Sequence, residues 1–141
     1  MLTNFKIKNL IYLCYEGFEI DLHNFYNFSI SNLEVHPDQI IIPFQRLNNN
    51  ISAESPFSKI IFTAYHYSYF QNNDPSIEHL SEDHTLSELT FYPSDDRQNN
   101  TFLIDQEDPK ETDDLILNFC SDRIIRLKAE KIIVTQQTPP L

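Results

Sequence analysis

Glycine is almost missing from this chain. Gly17 is the single glycine in 141 residues, and that shortage removes whole classes of chemistry. Neither G-x-G-x-x-G nor a Walker A loop can be written with one glycine, so a glycine-built phosphate cradle is excluded. A G-x-S-x-G nucleophile elbow is excluded on the same ground. Backbone positions that require φ > 0 must then be served by Asn and Asp, which tolerate that region better than most side chains. The runs "NNN" at 48–50, "QNN" at 71–73 and "QNN" at 98–100 are placed for that role. Tryptophan is absent, and seven Tyr and eleven Phe supply the bulk of a core instead.

Cysteine is also scarce. Cys14 and Cys120 sit in the apolar runs "IYLCY" and "LILNFC", which reads as two unpaired thiols on core strands. Neither has the basic or helix-terminal setting that makes a thiol reactive. No apolar run approaches the ~18 residues of a membrane span. The N-terminal "MLTNFKIKNLIYLCYEGF" is interrupted by Glu16 and lacks a small-residue cleavage site, so it reads as a strand and not as a signal peptide. The expected location is the cytoplasm.

The third shortage is positive charge. Ten Lys and Arg face twenty-one Asp and Glu, a formal net charge of −11, with an isoelectric point near 4.6. Such a chain repels nucleic-acid phosphates and anionic membranes and attracts basic partners. The excess is confined. Between Asp74 and Asp122 fourteen acids stand against Arg97 and Lys110, a net of −12, while the remainder holds seven acids and eight bases. One contiguous third carries the whole negative charge.

What is present is period-two alternation. Length and composition, 40% hydrophobic, predict one domain over residues 1–141 with a real core. "LIYLCY" and "FEIDL" flank Glu16-Gly17, which predicts a hairpin turn. "FYNFSISNLEV" reads as a strand, followed by a turn at 36–39. "IIIPFQRL" reads as a strand whose internal Pro43 demands an edge or a bulge. "SKIIFTAYHYSYF" is the strongest strand. Shorter strands are expected at "TLSELTFYP", "NTFLI", "DLILNFC", "DRIIRLK" and "EKIIVTQ", with one or two helical turns between Pro75 and His84. The fold class is therefore mainly β to α+β: antiparallel sheets forming a sandwich or a partly open barrel, with at most two short helices.

The candidate chemistry is thin. "EHLSEDHTLSE", from Glu78 to Glu88, is dense in His and carboxylate. On a helix His79 and His84 stand about 140° apart, and the spacing is not H-E-x-x-H, so the zinc-protease arrangement fails. "DQEDPKETDD" fails as an EF-hand: with Asp105 first, Lys110 takes the glycine position and Ile116 the bidentate glutamate. No cofactor or metal is expected. Tyr65, Tyr67 and Tyr69 alternate on one face of the strongest strand and are candidate aromatic anchors for a protein partner. The candidate electrostatic contacts are Glu78, Glu82, Asp83, Glu88, Asp95, Asp96, Asp105, Glu107, Asp108, Glu111, Asp113 and Asp114. The alternative is a small β-domain enzyme or ligand carrier, with His66 or His36 and a carboxylate in a pocket.

A small, Gly-poor, strongly acidic single domain of this kind resembles the immunity proteins of bacterial polymorphic-toxin and contact-dependent inhibition systems. The resemblance is one of composition over the whole chain and rests on no motif. It implies a non-catalytic inhibitor that binds a basic toxin domain, such as a nuclease, and blocks it.

Overall fold

The turn at the single glycine is formed as the sequence predicts. In the computed structural model, which describes residues 1–49, 51–101 and 103–138, Glu16 and Gly17 have φ of 50° and 84°. Two consecutive positive φ values are the mark of the primed turns that suit a twisted hairpin. Strand β3 (Tyr12–Tyr15) runs into this turn and β4 (Phe18–Asp21) leaves it, with Tyr15 opposite Phe18. Strand β2 (Lys6–Lys8) adds to β3, completing a three-stranded sheet. Among the described residues, the asparagine runs do not supply the other left-handed positions. Asn9, Leu10, His66 and Asp122 take that role, while Asn72 and Asn73 extend a strand and Asn50 lies outside the described residues.

Among the described residues, the main sheet has eight strands. Its path is β5 (Tyr26–Phe28), β7 (Gln39–Arg46), β8 (Lys59–Asn73), β11 (Ile124–Gln137), β10 (Asp113–Phe119) and β9 (Leu86–Pro93), all antiparallel. Two short strands join it: β1 (Leu2–Thr3) parallel to β11, and β6 (Glu34–Val35) antiparallel to β7. The sheet curls nearly into a barrel. Phe28 N donates to His84 O at 2.9 Å, so the β5 edge touches the chain just before β9. The rest of that gap is filled by the one-turn helix α1 (Leu22–Phe25) and by Leu10, whose carbonyl accepts from Leu89 N at 2.6 Å. Closure of this kind removes the exposed edge that an open sheet would present. Asp21 caps α1, its carboxylate accepting from Asn24 N at 2.9 Å.

Alternation decides what points inward. Ile40, Ile42 and Phe44 of β7 and Ile60, Phe62 and Ala64 of β8 are buried, and phenylalanine fills the volume that tryptophan would. Rings of Phe5, Phe62, Phe44, Phe28 and Phe119 touch in sequence, with centroids 4.7–5.9 Å apart, the distance at which edge-on and tilted pairs are favourable.

Pro43 sits inside β7 for a local reason. His36 N donates to Gln39 O and Arg46 N to Ser58 O. Backbone groups alternate sides along a strand, so the nitrogen of Pro43 points away from β8. On that side β5 pairs as far as Phe44 and β6 begins at Ile41, which leaves Pro43 in the break between them.

Several expected strands differ. "DRIIRLK" and "EKIIVTQ" are one strand, β11, with a register shift at Lys128/Ala129. Inward positions pass from Leu127 and Ala129 to Ile132 and Val134 while Glu130 and Lys131 both face water. That change of parity falls opposite His66, whose φ is +54°, and does not end the strand. "FYNFSISNLEV" is divided by a 3-10 turn at Ile30–Asn32. In "NTFLI", Thr101, Leu103 and Ile104 are not in a strand, and Phe102 lies outside the described residues.

Candidate functional site

The acidic third has two parts. The first is a 3-10 turn, Ile77–Glu82. The second is the long connection 94–112 between β9 and β10, which is strapped to the outer face of the sheet. Thr90 Oγ1 donates to Ile104 O at 2.8 Å and Asn118 Nδ2 to Asn100 O at 2.7 Å. Arg126 reaches the connection from β11, donating to Asn99 O and Asn100 Oδ1, both at 3.0 Å, and to Pro93 O at 2.9 Å.

Not all the candidate acids belong to a surface. Asp114 is 0% exposed and accepts from Arg126 Nε at 2.7 Å and from Arg97 Nε at 2.9 Å and Nη2 at 3.0 Å. Asp113 is 1% exposed and is held by Gln106 Nε2 and Lys110 N. Burial removes both from any direct contact with a partner. Asp83 is half-buried and takes a two-pronged hydrogen bond from Arg123, Nε to Oδ1 at 2.9 Å and Nη2 to Oδ2 at 3.0 Å, with Ser121 Oγ at 2.6 Å. Partial burial works against its charge, but the Arg123 and Ser121 bonds outweigh that and hold its carboxyl below the usual value. Glu88, on β9, is half-buried. Exposed acids are Glu78, Glu82, Asp95, Asp96, Asp105, Glu107, Asp108 and Glu111. Of these, Asp108 approaches Lys6 at 3.7 Å and Glu82 approaches His79 at 3.6 Å, both in solvent.

The tyrosines do not share one face. His66 takes φ of +54°, and the β8–β11 register slips so that Tyr67 opposes Ala129 while Tyr69 opposes Lys128. Tyr67 therefore turns to pack beside Phe70, ring centroids 6.4 Å apart, and donates its hydroxyl to His36 O at 2.8 Å. Tyr65 and Tyr69 are each already covered by a cation of this chain: Lys131 Nζ stands 5.0 Å from the Tyr65 ring and the Arg97 guanidinium 3.6 Å from that of Tyr69.

The histidines are dispersed. His36 lies 3.3 Å from Glu34 in solvent. His66 lines an open recess with Glu111, Lys128 and Glu130. His23 Nδ1 lies 2.6 Å from Leu86 O, tying α1 to β9. Among the described residues, no three His, Cys, Asp or Glu side chains are grouped to hold a metal ion. Cys14 and Cys120 are free and half-buried, and burial pushes both thiols up, away from the reactive thiolate. A half-open groove of about 750 Å³ runs over Ile41, Pro43 and Ile61 on the outer face of β7 and β8, with Glu34, Lys59 and His84 among its walls.

The pairing of Arg97 and Arg126 with Asp114, and of Arg123 with Asp83, was not legible in the sequence. Its one signal is that Arg97, Arg123 and Arg126 lie in or just beyond a stretch so rich in acid. No known protein family, curated protein or solved structure matches this chain. Among the described residues, no helix is long and apolar enough to cross a membrane.

Proposed function

We propose that this protein is a binding inhibitor of the immunity type, bacterial and cytoplasmic, which docks an acidic surface on a basic toxin domain and blocks it. The observation that carries the reading is the division of labour among the acids. The buried carboxylate Asp114 and the half-buried Asp83 are answered by arginines of the same chain, whereas Asp95, Asp96, Asp105, Glu107 and Glu111 stand exposed on a connection strapped to the sheet. A preorganised negative surface speeds association with a cationic partner and loses strength in salt. No catalytic role is assigned to any residue.

The test compares the wild-type protein with a variant carrying Asp95→Lys, Asp96→Lys and Glu111→Lys. Each is used to capture partners from the native host at low and at high salt. One stoichiometric basic protein is expected with wild type at low salt, reduced by salt and by the charge reversal. Recovery of the protein by itself under both conditions overturns the reading.

A further inference from the structure

Two apolar side chains are out of place. Ile77 is 94% exposed and Leu80 57%, in the acidic segment Ile77–Glu82, two short 3-10 turns that meet at His79. Leu80 follows Ile77 by three residues across a kink at His79, whose φ and ψ are −115° and 15°, and the same spacing pairs His79 with Glu82 at 3.6 Å. Single exposed apolar residues are ordinary. Two in one six-residue segment, with the exposed Asp74, Glu78 and Glu82 in or just before it and the exposed Asp122 bonded to its start, are a different arrangement.

The turn is also held from both ends. Ser76 N donates to Ser121 O at 2.9 Å, and Ser76 Oγ to Asp122 Oδ2 at 2.9 Å. Pro75 fixes the backbone one residue earlier. At the far end Asp83 is gripped by Arg123, which is 5% exposed and donates also to Asn72 Oδ1 at 2.7 Å. The apolar pair is therefore presented on a segment tied down at both ends. Such preorganisation lowers the entropic cost of association.

We infer that Ile77 and Leu80 are the docking anchor of the protein. They enter an apolar recess on the partner, and lysines or arginines on the rim of that recess meet Asp74, Glu78, Glu82 and Asp122. The occupant is a basic protein surface with an apolar centre, and the choice rests on charge complementarity. The inference builds on the acidic-surface reading and adds to it the point of contact and the need for an apolar recess. A charged rim around a buried apolar anchor is the usual division between specificity and affinity.

Two synthetic peptides separate the two ideas. Isotope-labelled protein is titrated at low salt with Lys-Ser-Ser-Lys-Ser-Ser-Lys and with Lys-Leu-Leu-Lys-Leu-Leu-Lys, which carry the same charge, following backbone amide shifts. The leucine-containing peptide is expected to bind about tenfold more tightly, with its shifts centred on residues 76–83. The double variant Ile77→Ser, Leu80→Ser should bind it no better than the serine peptide, with an unchanged thermal midpoint. Equal affinity for the two peptides, or a double variant that binds like wild type, overturns the anchor. Serine-peptide binding that weakens with salt would at the same time leave the acidic reading standing. Absence of binding by either peptide at low salt overturns both.

Discussion

Arg126 has no exposed surface, and a single carboxylate, Asp114, answers both it and Arg97. The three groups are not equivalent. Arg126 and Asp114 are both 0% exposed in their side chains, whereas Arg97 is a third exposed. Removing one member of a buried pair strands the other charge away from water, which costs about 3–5 kcal/mol. Asp114→Asn should therefore lower the unfolding free energy by about that amount in a urea titration, while Arg97→Ala, which leaves Asp114 paired with Arg126, should cost less. The second residue-scale prediction concerns Asp83. Its folded carboxyl titrates below the ordinary value of 3.8, despite partial burial, because of the Arg123 and Ser121 bonds. The pair accordingly stabilises the fold in full above pH 3.8 and ceases to do so as the pH falls through the folded value. Asp83→Asn should be clearly less stable than wild type at neutral pH, and the gap should close in acid. A gap independent of pH would show that the charge of Asp83 is not what matters.

Elements are set by a few backbone decisions. Gly17 has φ of +84°, and a Cβ built there meets nothing within 4 Å. Gly17→Ala should cost about 1 kcal/mol from backbone strain only, read as a lowered denaturation midpoint with unchanged slope. A much larger loss would mean a packing role for the turn. The hairpin, the period-two core positions of β7 and β8 and the strand at β9 were readable because each depends on neighbours in sequence. The bulges at His66 and Lys128/Ala129 were not. They arise where two long strands must stay paired while their inward residues change parity, and only the pairing shows it. Together they take Tyr67 off the stripe with Tyr65 and Tyr69 and let β11 run unbroken through what looks in sequence like two strands.

At the scale of the molecule, the charge of the acidic third is sorted by depth. The connection 94–112 carries Asp95, Asp96, Asp105, Glu107, Asp108 and Glu111 outward while buried Asp113 and Asp114 hold its C-terminal end to the sheet. A partner bound through such a surface should associate more slowly as ionic strength rises, with a smaller change in dissociation rate. Stopped-flow measurement of the captured partner at several salt concentrations checks it, and a salt-independent association rate would exclude electrostatic docking.

Composition and alternation by themselves determined that this chain is a mainly β domain, that glycine-dependent phosphate chemistry is closed to it, and that its negative charge lies in one segment. Those properties depend on residue type and local order. Which acids face a partner was decided only in three dimensions. Asp113 and Asp114 look no different in sequence from Asp95 and Asp96, yet Asp114 is buried against Arg126 and Asp113 against Gln106, while the other two are in water. Burial comes from the strap and the barrel, whose contacts join residues far apart in the chain, and it is burial that converts a carboxylate from a surface charge into an internal one.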